Sequence, residues 1–229
     1  MCVTPRKAST IPVIKDNSGK IEVLIMKRHL KDRFLPDYHV FPGGGLDEQD
    51  YDYLFPEVQN VRELHGFDGV AKKYYAHIMC GIRETFEEAG LLFAQDEKGN
   101  YPVINTPAAI EKFSLYRKQV FEKNISFREM LEKENLYPAV NNFFFINRWI
   151  TPAIFPIRYD ASFFTVIAPE KQEISHDGSE LVDFEWVIPY DALMKYREKK
   201  IKLVMPTIKT LEFLSEHKTA ADVINSFSF

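Results

Sequence analysis

The chain has 229 residues, 45% apolar and 27% charged, enough to bury one sizeable core, and its formal charge of -4 argues against a basic surface built to coat nucleic acid. That charge does not exclude a phosphate-bearing ligand, because a few local arginines or a bound cation can reverse the field where it matters. Only two cysteines, Cys2 and Cys80, no apolar run near the roughly 18 residues of a membrane span, no secretory leader and a non-peroxisomal C-terminus, Ser226-Phe227-Ser228-Phe229, lead us to expect a reduced, cytoplasmic protein with no membrane partner and no nucleic-acid partner.

Residues 10–14 and 21–26 are rich in β-formers, and Asp16-Asn17-Ser18-Gly19 between them signals a hairpin. Residues 38–41 read as a short strand ending at Pro42-Gly43-Gly44-Gly45, a run expected not to continue a regular strand. Acidic and aromatic residues follow with little periodicity, and we read about 51–71 as an insertion. From 72 to 89 the pattern is helical. Met79, Ile82, Phe86 and Ala89 form one apolar stripe, Cys80 reads as a small buried hydrophobe and Gly90 is a natural stop. Residues 91–94 are expected to start a strand. Residues 107–123 and 127–134 read as helices, a helical elaboration or lid over about 107–135 rather than a separate domain. Strands are expected at 142–149, 162–168 and 181–188, and closing helices at 190–199 and 206–216, with Pro206 suited to a first turn. The whole reads as one elaborated domain, 1–229, of mixed α/β (α+β) layers.

The informative stretch is Arg83-Glu84-Thr85-Phe86-Glu87-Glu88-Ala89-Gly90. Glu84, Glu87 and Glu88 stand at i, i+3 and i+4, so a helix gathers them on one side, opposite Ile82, Phe86 and Ala89. Three like charges placed this way repel unless a counter-charge intervenes, and a hard divalent cation is a natural one. Arg83, four residues before Glu87, is placed to pair with that carboxylate and hold its rotamer. A solvated acidic face would have the same local sequence. The distinguishing company is Pro42-Gly43-Gly44-Gly45-Leu46-Asp47, whose glycines let backbone approach a phosphate or offer a carbonyl to a metal.

Together the two segments resemble the Nudix box. Arg83, Glu84, Glu87, Glu88, Gly90 and Leu91 match its second half position by position, Gly44 matches its first glycine, and Asp50 stands where the family has a glutamate. The departure is length, since 32 residues separate Asp50 from Arg83 where the usual box has seven. That leaves the role of Asp50 open. The resemblance implies a Nudix-type α/β/α sandwich with a mixed sheet and activity on nucleoside diphosphates linked to another group. It also implies Mg2+ or Mn2+ on Glu84, Glu87 and Glu88, with the Gly43 carbonyl completing the coordination. The general base stays open, with Glu87 the first candidate.

Upstream, Leu24-Ile25-Met26-Lys27-Arg28, then Arg33, then Phe41-Pro42-Gly43-Gly44 are similar in spacing to the motif preceding the box in coenzyme A diphosphatases. Met26, His29 and Asp37 depart from it. The long insertion, with Arg148-Trp149-Ile150-Thr151-Pro152 and Arg158-Tyr159-Asp160 downstream, resembles the same branch. The resemblance implies a coenzyme A-like substrate, with Arg28, Arg33, Gly44 and Gly45 in substrate binding, because coenzyme A adds a 3′-phosphate that arginines can grip. Trp149, Phe163 and Phe164 are expected in the core, His77 is expected to be structural, and His176 or Glu180 is a candidate for a base or substrate contact. Three other readings are weighed: a nucleotide-sugar or dinucleotide pyrophosphatase; an RNA-cap hydrolase, for which the net charge and scattered Lys and Arg offer no basic strip; and a Nudix-like sensing module without catalysis. The last usually lacks the equivalents of Glu87 or Glu88, both present here. Whether the chain forms a homodimer stays open.

Overall fold

In the computed structural model of the chain, residues 3–32, 34–51, 70–175 and 181–227 are described. The predicted hairpin at Asp16-Asn17-Ser18-Gly19 joins β2 (Val13–Asn17) to β3 (Lys20–Arg28), with Ser18 and Gly19 both at positive φ. Along β3, Val23 and Ile25 enter one hydrophobic cluster while Leu24 and Met26 enter another, so the strand is buried on both faces. The sheet runs β10-β3-β2-β9-β1-β5, with β4 (His39–Val40) on β3 and β8 (Phe144–Ile150) on β9 (Tyr159–Ile167). The remaining members are β1 (Arg6–Thr10), β5 (Gly43–Gly45) and β10 (Leu181–Val187). β9 pairs in parallel with both β1 and β2, and the other pairings are antiparallel, which makes the sheet mixed.

One face of the sheet is covered by α1 (Val70–Ala89), α2 (Pro107–Phe121) and α3 (Phe127–Glu134), and the other by α4 (Pro189–Arg197), α5 (Met205–Ser215) and α6 (Ala220–Asn225). This is the expected α/β/α sandwich. The stripe of Met79, Ile82, Phe86 and Ala89 is buried, and Gly90, at φ 72°, ends α1 in the left-handed conformation. Both helices of the elaboration are locally encoded. Thr106 caps α2 ahead of Pro107, and Ser126 and Glu129 form a reciprocal capping box at the start of α3.

Several expectations need correction. Residues 10–14 are not one strand: the chain bends at Ile11-Pro12, where proline has no N–H for a ladder, and Ile11 N–H donates instead to the Pro42 carbonyl at 2.7 Å. The glycine run does form a strand, β5, because its register with β1 is fixed by tertiary pairing that glycine's poor propensity does not reveal. A Cβ at Gly43 would lie 2.2 Å from the Ser9 carbonyl oxygen, so only glycine permits that approach. Leu91, Leu92 and Phe93 are buried but irregular, and the strand β6 (Ala94–Gln95) pairs with the short β7 (Tyr137–Pro138). α6 has no counterpart in the sequence reading. Most of the expected insertion, residues 52–69, lies outside the described residues, as do Arg33, His176 and Glu180.

Candidate active site

The second half of α1 faces the glycine strand across a very short gap. A Cβ on Gly81 would meet Ile11 Cδ1 at 2.4 Å, so the helix rides close over β1. A Cβ on Gly44 would lie 2.4 Å from Glu84 Cδ, so this carboxylate rests against backbone that carries no side chain. Gly43 N–H donates to Glu88 Oε2 at 2.7 Å. Cys80, buried as expected, points its thiol at the Gly44 carbonyl, and burial pushes that thiol's pKa well up.

Arg83 organises the carboxylates. Its Nε and Nη2 both donate to Asp50 at 2.9 Å, a two-point fork, while Nη1 donates to Glu84 at 2.9 Å and to Glu87 at 3.3 Å. Nη2 also reaches the Gly45 carbonyl at 3.2 Å. The expected Arg83–Glu87 pair is therefore present, and Asp50 occupies the position of arginine partner despite the 32 intervening residues. Burial works against the charge on Arg83, but the hydrogen bonds to Asp50 and the charges of Glu84 and Asp50 hold its pKa above the ordinary arginine value.

Acid outweighs base here. Among the described residues, Asp50 and Glu88 are buried, Glu84 and Glu87 are nearly so, and the Arg83 guanidinium pairs with Asp50, Glu84 and Glu87 while Glu88 turns to the Gly43 amide. Burial pushes Glu84 up to about 7 against the pull of Arg83, with the charges of Glu87 and Asp50 adding to the rise. Burial also raises Glu87, again opposed by Arg83. Among the described residues no three such side chains already enclose a single point, because Glu84 and Glu87 are turned to Arg83 and Glu88 to the Gly43 amide. The donor chemistry nonetheless fits a hard divalent cation: adjacent carboxylates in excess, one of them holding a proton up to near neutrality.

Other expectations resolve individually. Arg28 forms an ion pair with Asp32 at 3.1 Å at the end of β3. Arg148 makes a two-point pair with Asp160, and Arg158 holds the carbonyls of Thr151 and Val3. Phe163 and Phe164 are buried on opposite faces of β9, and Trp149 packs against the cluster on the α4–α6 side. His77 is structural. A carbonyl only accepts, so its Nδ1–H is the donor to the Ala8 oxygen 2.9 Å away, and burial lowers the ring's pKa.

Sequence reasoning missed three tethers from the helical elaboration. Arg117 on α2 donates to the carbonyls of Glu87 (2.5 Å) and Glu88 (2.6 Å), and to Ser175 (2.8 Å), so it ties off the last turn of α1. Lys123, just past α2, pairs with Asp47 at 2.7 Å. Gln49 accepts from Phe127 N–H at 3.1 Å. No local pattern marks Arg117 among the other charges of α2. Asp47 carried a faint signal, being adjacent to the glycine run.

The profile of the NUDT19 Nudix domain matches residues 63–214, a span containing all of α1. The chain belongs to this Nudix family. Among its relatives are the acyl-coenzyme A diphosphatase NUDT19 of Xenopus laevis, 29% identical with 89% of this chain covered, and that of Homo sapiens, 24% identical with 88% covered. The alignment spans 62% of the length of each of these two relatives. The crystal structure of a NUDIX hydrolase from Alicyclobacillus acidocaldarius superposes with a TM-score of 0.81 at 26% identity, covering 99% of this chain and 98% of that one. Nudix hydrolases generally use divalent metals, which agrees with the acid excess around Arg83.

Proposed function

We propose that this Nudix chain is a single elaborated domain that hydrolyses the phosphoanhydride of coenzyme A or acyl-coenzyme A, giving 3′,5′-ADP and phosphopantetheine or its acyl form. The observation that carries the reading is the Arg83-centred carboxylate cluster closed against a glycine strand, supported by relatives named as acyl-coenzyme A diphosphatases. Glu84, Glu87 and Glu88 would hold Mg2+ or Mn2+ with the Gly43 carbonyl, while Asp50 stays committed to Arg83. When bound, such an ion supplies neutralisation of diphosphate charge and a more acidic water.

The chain's own groups do the rest. Gly45 would admit a phosphate where a side chain would otherwise stand, while the space over Gly44 is taken by the Glu84 carboxylate. Arg83, released from Glu84 and Glu87 but still forked to Asp50, keeps the helix turn in register. With the ion on Glu84 and Glu88, Glu87 would instead be free to take the proton given up by the attacking water. Arg28, exchanging Asp32 for substrate, and Arg33 would grip the 3′-phosphate. The buried, free thiol of Cys80 agrees with a reducing, cytoplasmic setting.

The test is a Mg2+-dependent hydrolysis screen of coenzyme A, acyl-coenzyme A, NADH, ADP-ribose and nucleoside triphosphates. Coenzyme A substrates should be turned over fastest, and Glu87→Gln should lower kcat by roughly a hundredfold or more. Preference for ADP-ribose or NADH would replace the substrate assignment with a dinucleotide or nucleotide-sugar pyrophosphatase. Undiminished activity in Glu87→Gln would reject the site.

A further inference from the structure

Away from the carboxylates, the connection between β8 and β9 is unlike the rest of the surface. Residues 151–158 read Thr-Pro-Ala-Ile-Phe-Pro-Ile-Arg, and every residue from 152 to 157 is exposed. Ile154 is 87% exposed, Phe155 and Ile157 on the same connection are also open to solvent, and so are Ile150 and Val3 at its neck. The neck of this hairpin is firm: Thr151 N–H donates to the Tyr159 carbonyl at 2.9 Å, and Arg158 clamps the Thr151 and Val3 carbonyls. A rigid projection of adjacent large apolar side chains is costly to leave in water and marks a contact surface.

The charges around it have the sign opposite to the chain's. Arg6 and Lys7 on β1 are exposed beside the neck, Lys7 with its ammonium 5.7 Å from the Tyr51 ring centre, and among the described residues they stand with Arg148 and Arg158 as four cations near the carboxylate of Asp160. The protein as a whole is at -4. Apolar side chains at a tip with cations set behind them are the two signals that together hold a protein on an anionic bilayer. The backbone chemistry also separates a bilayer from a protein strand as the occupant. Pro152 and Pro156 carry no N–H, and Phe155 N–H is satisfied by the Pro152 carbonyl at 3.2 Å. Such a tip makes a poor edge for strand pairing.

We propose that the hairpin of residues 151–158, backed by Arg6 and Lys7, docks this protein peripherally on anionic lipid bilayers. This departs from the expectation of no membrane partner and does not depend on the hydrolase reading. It requires no spanning segment, and no helix among the described residues is long and apolar enough to cross a membrane.

The test is cosedimentation of the full chain with vesicles of phosphatidylcholine alone, and of phosphatidylcholine containing phosphatidylserine, at low and high salt, with gel filtration alongside. Binding should require phosphatidylserine and weaken in high salt. The double substitution Ile154→Ser, Phe155→Ser should weaken it by more than about tenfold, and Arg6→Gln or Lys7→Gln by roughly fivefold each. All four positions are surface side chains, and an unchanged circular dichroism spectrum would confirm that the variants fold. Absence of phosphatidylserine-dependent binding by the parent chain, or equal binding by the hairpin variant, overturns the proposal. So does a dimer that becomes monomeric on hairpin substitution without any vesicle binding, because the occupant would then be a second copy.

Discussion

A guanidinium in a plane offers five N–H donors, and the acceptors gathered on Arg83 come from three separate pieces of chain: Asp50, the Gly45 carbonyl, and Glu84 with Glu87. The fork to Asp50 is the most deeply buried part of this set, with both side chains almost inaccessible. Removing one partner of such a pair leaves the other as an uncompensated buried charge, which is far costlier than the pair's net worth. Asp50→Ala should therefore destabilise the protein by about 3–5 kcal/mol, measured by urea unfolding. It should also lower kcat, since Arg83 would turn wholly to the two glutamates. A loss within the error of the parent would show that the fork is dispensable. Asp50→Asn retains one acceptor oxygen and should lie between the parent and the alanine variant.

At the scale of elements, the last turn of α1 has two ties that carry different consequences. Gly90 ends the helix through its own backbone conformation, whereas Arg117 satisfies the terminal carbonyls from another helix and links them to Ser175. Lysine, with one nitrogen, cannot span carbonyls of two residues on α1 and a third on the neighbouring loop. Arg117→Lys should thus lower kcat on the preferred substrate several-fold while moving stability by only about 1 kcal/mol, with KM little changed. Equal values of kcat for Arg117→Lys and the parent would reject a positioning role. These ties also mark the boundary of what could be read from sequence. Arg83, Glu84, Glu87 and Glu88 were legible because helical spacing alone places them, and the capped helices α2 and α3 because their signals are local. The strand at Gly43–Gly45 was not, because its extended form is imposed by β1 and not by glycine itself. Arg117 and the docking of Lys123 on Asp47 arise from contacts 30 and 76 residues apart, which no short window contains.

At the scale of the molecule, the acid excess links stability, pH and metal. Glu84 is raised from 4.5 to about 7 in the folded chain, so the folded state holds its proton more tightly than the unfolded one. Its contribution to stability is full below about pH 4.5 and disappears as pH rises through about 7, on the order of 3 kcal/mol in all. A divalent ion would bind the deprotonated carboxylates, so its stabilisation would grow over the same interval. His39 and His77, both lowered by burial, favour the folded state above their ordinary pKa, but they act equally with and without metal. The informative quantity is therefore the difference in Tm between Mg2+ and EDTA, which should widen from pH 5 to pH 8 and flatten in Glu84→Gln. A difference constant with pH would dissociate Glu84 from metal binding. The sheet has a consequence of its own. β1 and β2 lie next to each other in the chain but are bent apart at Pro12, and the partner that runs beside both is β9, some 150 residues further on. During synthesis the β2–β3 hairpin therefore emerges well before β9, the strand that lies between β2 and β1, so the sheet carrying the glycine strand cannot close until about 150 residues beyond β1 have been made.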